Sequence, residues 1–269
     1  MMMTGMKEYA GLIVILFVLV LFVSVMARGI IISVKKKKYR TACADFLLVI
    51  LVLCASLWLY THPPVSSHTD VPFDYAQLPA WENDPVCVIN DNIPYFTEEE
   101  KQAEEYERYG KLDSLGRCTA AQAMVGRDMM PQEERADISE IRPSGFIGAK
   151  YDDLIEDGFL YNRCHLIAFE LTGENANAEN LITGTRYLNT EGMLYYENLA
   201  ASYIRRTGNH VLYRATPVFV SSDLVCRGVL LEAYSVEDDG EEISFCVFCY
   251  NVQPGIVIDY RTGASRRAS

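Results

Sequence analysis

Two long apolar runs dominate the start of the chain. Gly11 to Val34 carries one charge, Arg28, and Ala42 to Thr61 carries one, Asp45. Each is long enough to cross roughly 30 Å of hydrocarbon as a helix. Between them lies Lys35-Lys-Lys-Lys-Tyr-Arg40, the kind of cationic loop that stays cytoplasmic. The pattern predicts a membrane anchor over 1–61, two transmembrane helices joined by the basic loop 35–40, with the rest of the chain on the extracytoplasmic side. A cleaved signal peptide is the alternative for the first run.

Beyond the hairpin the periods shorten. Residues 62–84, which begin with the Pro- and Ser-rich HPPVSSHTDVP, read as a linker. Thr97-Glu-Glu-Glu100 is a capping-box start and predicts a charged helix to about Leu112. Residues 126–141 read as an irregular surface segment. Residues 144–171, with the turn signal Glu156-Asp-Gly158, read as strand, turn, strand. Leu188, Met193, Leu194, Leu199, Tyr203 and Ile204 recur at helical spacing up to Gly208. Four runs with strand character follow, at 210–220, 224–236, 243–252 and 255–260. With the strand bearing His165, they predict a largely antiparallel sheet. The fold class is α+β, with a folded domain over 85–262 and a tail over 263–269.

Charge complicates the choice of partner. The formal net charge is −12; residues 1–61 contribute +5 and residues 62–269 contribute −17. Such a domain is soluble, and its average field repels polyanions. Six cysteines lie beyond the hairpin, at 87, 118, 164, 226, 246 and 249. Their compartment permits disulfides, but their spacing does not form a dense framework. Cys246 and Cys249 have the spacing of a zinc site. On a strand they face opposite ways, so they read as core residues.

The candidate chemistry is concentrated in NRCHLIAFELTGENANAENLITGTRYLN, residues 162–189. This stretch holds one of the chain's four histidines and five asparagines. Asn is a poor helix and strand former, so such a run marks a loop or a site. A neutral imidazole can take a proton from water near pH 7. Mg²⁺ keeps most of its waters and needs few protein oxygens, so an Asn carbonyl can serve as its protein ligand.

Asn162-Arg163-Cys164-His165, then Asn180, Asn189 nine residues later and Glu197 eight after that, resembles the signature of the DNA/RNA non-specific endonucleases. That family's active site is a ββα-metal (His-Me) finger, and the similarity is to its streptococcal and DNA-entry nuclease branch. The resemblance extends over about 85–260 and is specific over 162–197. It implies a central antiparallel sheet bearing the finger, and Mg²⁺-dependent hydrolysis of DNA and RNA to 5′-phosphate products, with Mn²⁺ as an alternative ion. It implies His165 as general base, Asn189 as metal ligand, and Glu197 as holder of a metal-bound water. Asn180 would orient the histidine or its loop, and Arg163 would contact phosphate or brace the finger. Arg142, Arg186, Arg205 and Arg206 are candidate phosphate contacts, with Lys150 and Arg214 in the same region. Asn175 and Asn177 match nothing in the pattern and read as ordinary loop residues.

Two positions depart from the signature. Asn162 stands for Asp, keeping an acceptor but losing the charge. Cys164 stands for Gly and adds a side chain beside the base; it reads first as a small buried residue, the alternative being a thiol open to pairing or oxidation. The expected function is a membrane-anchored, outward-facing, multi-pass nuclease acting on nucleic acid. The alternative is a catalytically degenerate surface module that binds nucleic acid or a protein partner.

Overall fold

The longest strands are apolar on both faces because both faces of their sheet are covered. In Ser244–Tyr250, Phe245, Val247 and Cys249 point to one side and Cys246, Phe248 and Tyr250 to the other, and all six are buried. The computed structural model describes residues 73–268. Along the chain, β1 (Val86–Val88), β2 (Tyr106–Tyr109) and β3 (Ala121–Val125) precede a separate pair, β4 (Tyr161–His165) and β5 (Leu181–Thr185). Next come β6 (Val211–Val218), β7 (Gly228–Ser235) and β8 (Ser244–Tyr250), and then β9 (Ile256–Ile258) and β10 (Ser265–Arg267). The central sheet has the order β1-β8-β7-β6-β3-β2 and is antiparallel at every pairing. Three helices, α1 (Glu98–Lys101), α2 (Phe169–Thr172) and α3 (Leu194–Thr207), complete the frame.

One sheet face packs against Ala200, Ala201, Tyr203 and Ile204 of α3 and against Leu166, Ile167 and Leu171 beside the β4–β5 pair. The other is covered from the N-terminal side by Phe73, Tyr75, Leu78 and Trp81, with Phe73 stacked on Phe248 at 5.6 Å. Helix α3 ends where the sequence indicates, at Gly208 with φ +77°.

The α+β class and the antiparallel sheet of β6, β7 and β8 follow the sequence reading. Four local expectations do not. The capping box at Thr97 forms, but α1 stops at Lys101, and Tyr106–Tyr109 is an edge strand instead. Tyr106 and Tyr109 gain apolar packing in the sheet that an exposed, charged helix would not give them. The strand expected just ahead of the Glu156–Gly158 turn is reduced to a single bridge, Lys150↔Phe159; β4 pairs instead with β5, from Tyr161↔Thr185 to His165↔Leu181. This pair and the β9–β10 hairpin are separate two-stranded sheets, not members of the central one. Finally, the part of the expected linker from Phe73 to Asp84 packs on the sheet, and the expected tail supplies β10.

The two apolar runs and the basic loop lie outside the described residues. Among the described residues no helix is long and apolar enough to cross a membrane.

Because β4–β5 shares no strand ladder with the central sheet, side chains dock it. Asn251, fully buried, accepts from the Thr185 amide at 2.8 Å and donates to the carbonyls of Thr183 and Cys226 at 3.0 Å each. The Thr185 hydroxyl donates to Val252 O at 2.6 Å, and Gln253 Oε1 accepts from Tyr187 N at 3.1 Å. Asn251→Ala leaves three buried backbone groups without these partners. It should lower the unfolding free energy by about 2–4 kcal/mol, measured by urea denaturation of the full-length protein. A loss under about 1 kcal/mol would show that the pair is docked by other contacts.

Candidate active site

Strand alternation puts Tyr161, Arg163 and His165 on one face of β4 and turns Cys164 into the core. The His165 ring is buried and held at both nitrogens. Asn175 O lies 2.8 Å from Nε2, and a carbonyl can only accept, so Nε2 carries the proton. The Arg135 guanidinium donates to Nδ1 at 2.9 Å, and a guanidinium only donates, so Nδ1 presents its lone pair. Both contacts select one neutral tautomer. Burial lowers the His165 pKa from its ordinary value; the Asn175 hydrogen bond opposes this, and the Arg135 charge adds to it.

The segment that brings in Arg135 is strapped to β4. Arg163 donates from Nε to Ile141 O at 2.6 Å and from a terminal nitrogen to Ser139 O at 2.7 Å, with its guanidinium 4.5 Å from the Phe146 ring centroid. Asn175 Nδ2 donates to Ala136 O at 3.2 Å. Of the two roles expected for Arg163, bracing is therefore the one its contacts show. Asn175 is not an ordinary loop residue: its carbonyl sets the histidine tautomer and its side chain ties down the Arg135 segment. Asn177 is a turn residue whose side chain accepts from Glu179 N.

Asn180 is fully buried. Its side chain accepts from Ile167 N at 2.9 Å and donates to Ile167 O at 3.0 Å, clamping the chain two residues past His165 without touching the ring. Asn189 sits in a π-helical turn, Leu188–Met193, that leads into α3; the Leu194 amide reaches back to Asn189 O. Such turns recur at functional positions because the extra residue displaces a side chain from the regular ladder. Two turns on, Glu197 is pushed up to about 8, by burial and then by the Glu170 carboxylate, with Arg135 opposing.

A cavity of about 510 Å³ is lined by the polar residues Asn189, Arg135, Arg163, Arg186 and Asn162 and by the aromatic residues Phe146, Phe159 and Tyr161. Among the described residues no group of three or more His, Cys, Asp or Glu is arranged to hold a metal. The donors present are instead the Asn189 amide and the Glu197 carboxyl. That set fits a hard cation that keeps most of its own waters, and a cation nearby would favour the ionised form of Glu197.

The expected phosphate contacts divide by position. Arg186 lines the cavity and pairs with Asp157 at 3.3 Å. Arg142 is exposed on the loop strapped by Arg163, outside the cavity lining. Arg205 and Arg206 stand at the far end of α3 from Asn189, where Arg206 pairs with Glu242. Arg214 is buried in a two-pronged pair with Glu232, at 2.7 and 2.8 Å, and is closed to phosphate. The residue that sequence reasoning missed is Arg135. It lies in an acidic run, 133–140, whose net charge suggested a place remote from the groove; its signal was a lone cation among acids. Cys164 is free and buried, as its first reading has it, and burial drives its thiol well above the usual value, which disfavours the reactive alternative.

Residues 97–237 match the family described as DNA/RNA non-specific endonuclease. The chain is 33% identical over 121 residues to a deoxyribonuclease of Streptococcus dysgalactiae subsp. equisimilis, a match covering 43% of this chain and about a third, 34%, of that protein's length. Its fold is similar to that of NucA from Streptococcus agalactiae, solved with magnesium bound, at a TM-score of 0.61 and 26% identity, covering 71% of this chain and 91% of that one. It is also similar to the Sda1 nuclease solved with bound zinc, at a TM-score of 0.58 and 25% identity, covering 70% and 100%.

The two ring contacts set an expectation for His165. Nitrogen-15 NMR of histidine-labelled protein should show the Nε2–H tautomer at neutral pH and a titration midpoint below the ordinary value of about 6.5. As pH falls below about 6.5, the unfolded chain takes up a proton that the native ring resists. His165 therefore withdraws stability in that acid window and has no such effect above it. A midpoint at or above the ordinary value would mean that the ring is neither desolvated nor held by Arg135.

Proposed function

This chain belongs to the DNA/RNA non-specific endonuclease family, and from that premise we propose that it is a metal-dependent nuclease hydrolysing phosphodiester bonds of DNA and RNA, with His165 as general base. The observation that carries this reading is the neutral His165 whose Nδ1 lone pair meets Arg135, which lines the same cavity as Asn189.

The chemistry follows from these groups. Nδ1 takes a proton from a water molecule as its oxygen attacks phosphorus, and the Asn175 carbonyl stabilises the imidazolium through Nε2–H. The bond from phosphorus to the 3′-oxygen breaks, leaving a 5′-phosphate. In the resting geometry Arg135 covers Nδ1. An incoming phosphate draws that guanidinium to itself, which frees the base and neutralises the phosphate in one movement. A divalent ion such as Mg²⁺ or Mn²⁺, when held by Asn189, supplies Lewis-acid stabilisation of the leaving oxygen. Glu197 orients water at that ion, and Asn180 and Arg163 hold the backbone on either side of His165. The −17 balance of residues 62–269 confines nucleic-acid binding to local cations around the cavity, Arg135 and Arg186. The proposed placement remains a two-helix membrane anchor with the nuclease domain outside the cytoplasm, supported by Lys35–Lys38 between the two apolar runs.

Full-length protein should degrade plasmid DNA and RNA with Mg²⁺ and lose that activity in EDTA; a degenerate binding module would bind but not cut in either condition. His165→Ala should lose a factor of ~10²–10⁴ in rate at any Mg²⁺ concentration, whereas the loss in Asn189→Ala should be partly recovered as Mg²⁺ rises. A folded, fully active His165→Ala protein would end this mechanism.

For topology, protease added to wall-stripped cells should digest the domain beyond residue 62. Its protection would place the domain in the cytoplasm.

A further inference from the structure

The cavity beside Asn189 is not built for phosphate alone. Besides its cations, its lining includes Phe146, Phe159 and Tyr161. Phe159 is 48% exposed, and the group over its ring is Lys150 Nζ, 4.1 Å from the centroid, a surface side chain that a stacked base would displace. Phe146 and Tyr161 lie with centroids 6.5 Å apart and are backed by Ile256 and Ile258 of β9, which makes the aromatic wall part of a small core. Asn162 lines the same cavity. Its Nδ2 is buried with no hydrogen-bond partner, so the amide has donor capacity that the protein does not use. The volume, about 510 Å³, falls within the range of roughly 300–1,000 Å³ usual for small-molecule sites.

We propose that the aromatic part of this lining is a nucleobase subsite, in which an unpaired base stacks on Phe159 while its phosphate lies against Arg135 and Arg186. It deepens, and rests on, the nuclease reading of the adjoining residues. Stacking on an aromatic ring requires an open π-face and is indifferent to base identity, which suits a nuclease of low sequence preference. In a duplex both faces of each base are already stacked and its pairing edge is used, so a duplex cannot fill the subsite without extruding a base. The preferred substrate is therefore single-stranded or locally melted nucleic acid. Asn162, the position that departs from the family signature, gives the subsite a neutral amide where a carboxylate would repel the phosphate that follows the base.

The test separates base from phosphate. Calorimetry on full-length protein in detergent should show dAMP binding at least tenfold tighter than 2-deoxyribose 5-phosphate. Phe159→Ala and Phe159→Leu should remove that difference while leaving the affinity for the sugar phosphate unchanged; the leucine variant keeps apolar volume and guards against a folding defect. With Mg²⁺, wild type should show a higher kcat/KM on a single-stranded oligonucleotide than on the same sequence as a duplex. Both variants should lower the single-strand value about tenfold to a hundredfold through KM, the range expected for one lost base stack, and leave the duplex value in place. Equal binding of the two probes by wild type, or a single-strand preference untouched by both variants, overturns the subsite. If wild type cuts neither oligonucleotide yet still binds dAMP over the sugar phosphate, the nuclease reading fails and the base pocket stands.

Discussion

The placement of the site depends on one buried amide. The β4–β5 pair shares no strand ladder with the central sheet, so nothing in ordinary sheet pairing fixes where His165 stands relative to α3. Asn251 does this by bonding Thr185 N, Thr183 O and Cys226 O at once. Thr185 continues the link, accepting from Leu188 N at the head of the π-helical turn that carries Asn189. His165 and Asn189 are thus held by a short chain of satisfied polar groups in an apolar interior. Each bond there is strong because its loss would leave an orphan.

Electrostatics is the second constraint. A strongly acidic domain can act on a polyanion only if its cations are local and its acids are engaged elsewhere. Two arrangements achieve this. Arg214 and Glu232 cancel one another inside the protein, with Tyr95 N and Glu100 completing the network, so they add nothing to the surface field. Arg135 emerges from the acidic 133–140 run directly onto His165. Burial lowers the His165 pKa, the Arg135 charge adds to that, and the same contact places a cation beside the cavity.

The two departures from the family signature are accommodated differently. Cys164 faces the core, and Gly184 on β5 leaves the space it needs: a Cβ there would stand 2.3 Å from the thiol sulfur. Its inertness is a consequence of that burial. Asn162 borders the cavity, and its Nδ2 is buried without a hydrogen-bond partner.

Much of this was legible in the residues. The period change at Asn189 and the stop at Gly208 marked α3, the apolar runs after it marked β6, β7 and β8, and the spacing of His165, Asn180, Asn189 and Glu197 marked the finger. These are local signals: helical period, turn residues and side chains that must recur at set intervals. The short α1, the pairing of β4 with β5 across fifteen residues of loop and helix, and the folding of residues 73–84 onto the sheet were decided by long-range packing, which no local window contains. So was the role of Arg135, thirty residues before His165 in sequence and 2.9 Å from it in space. Sequence alone specified which chemistry the chain carries. Which nitrogen of the histidine is free, and what covers it, followed only from the fold, because both depend on a carbonyl and a guanidinium brought in by loops with no pattern of their own.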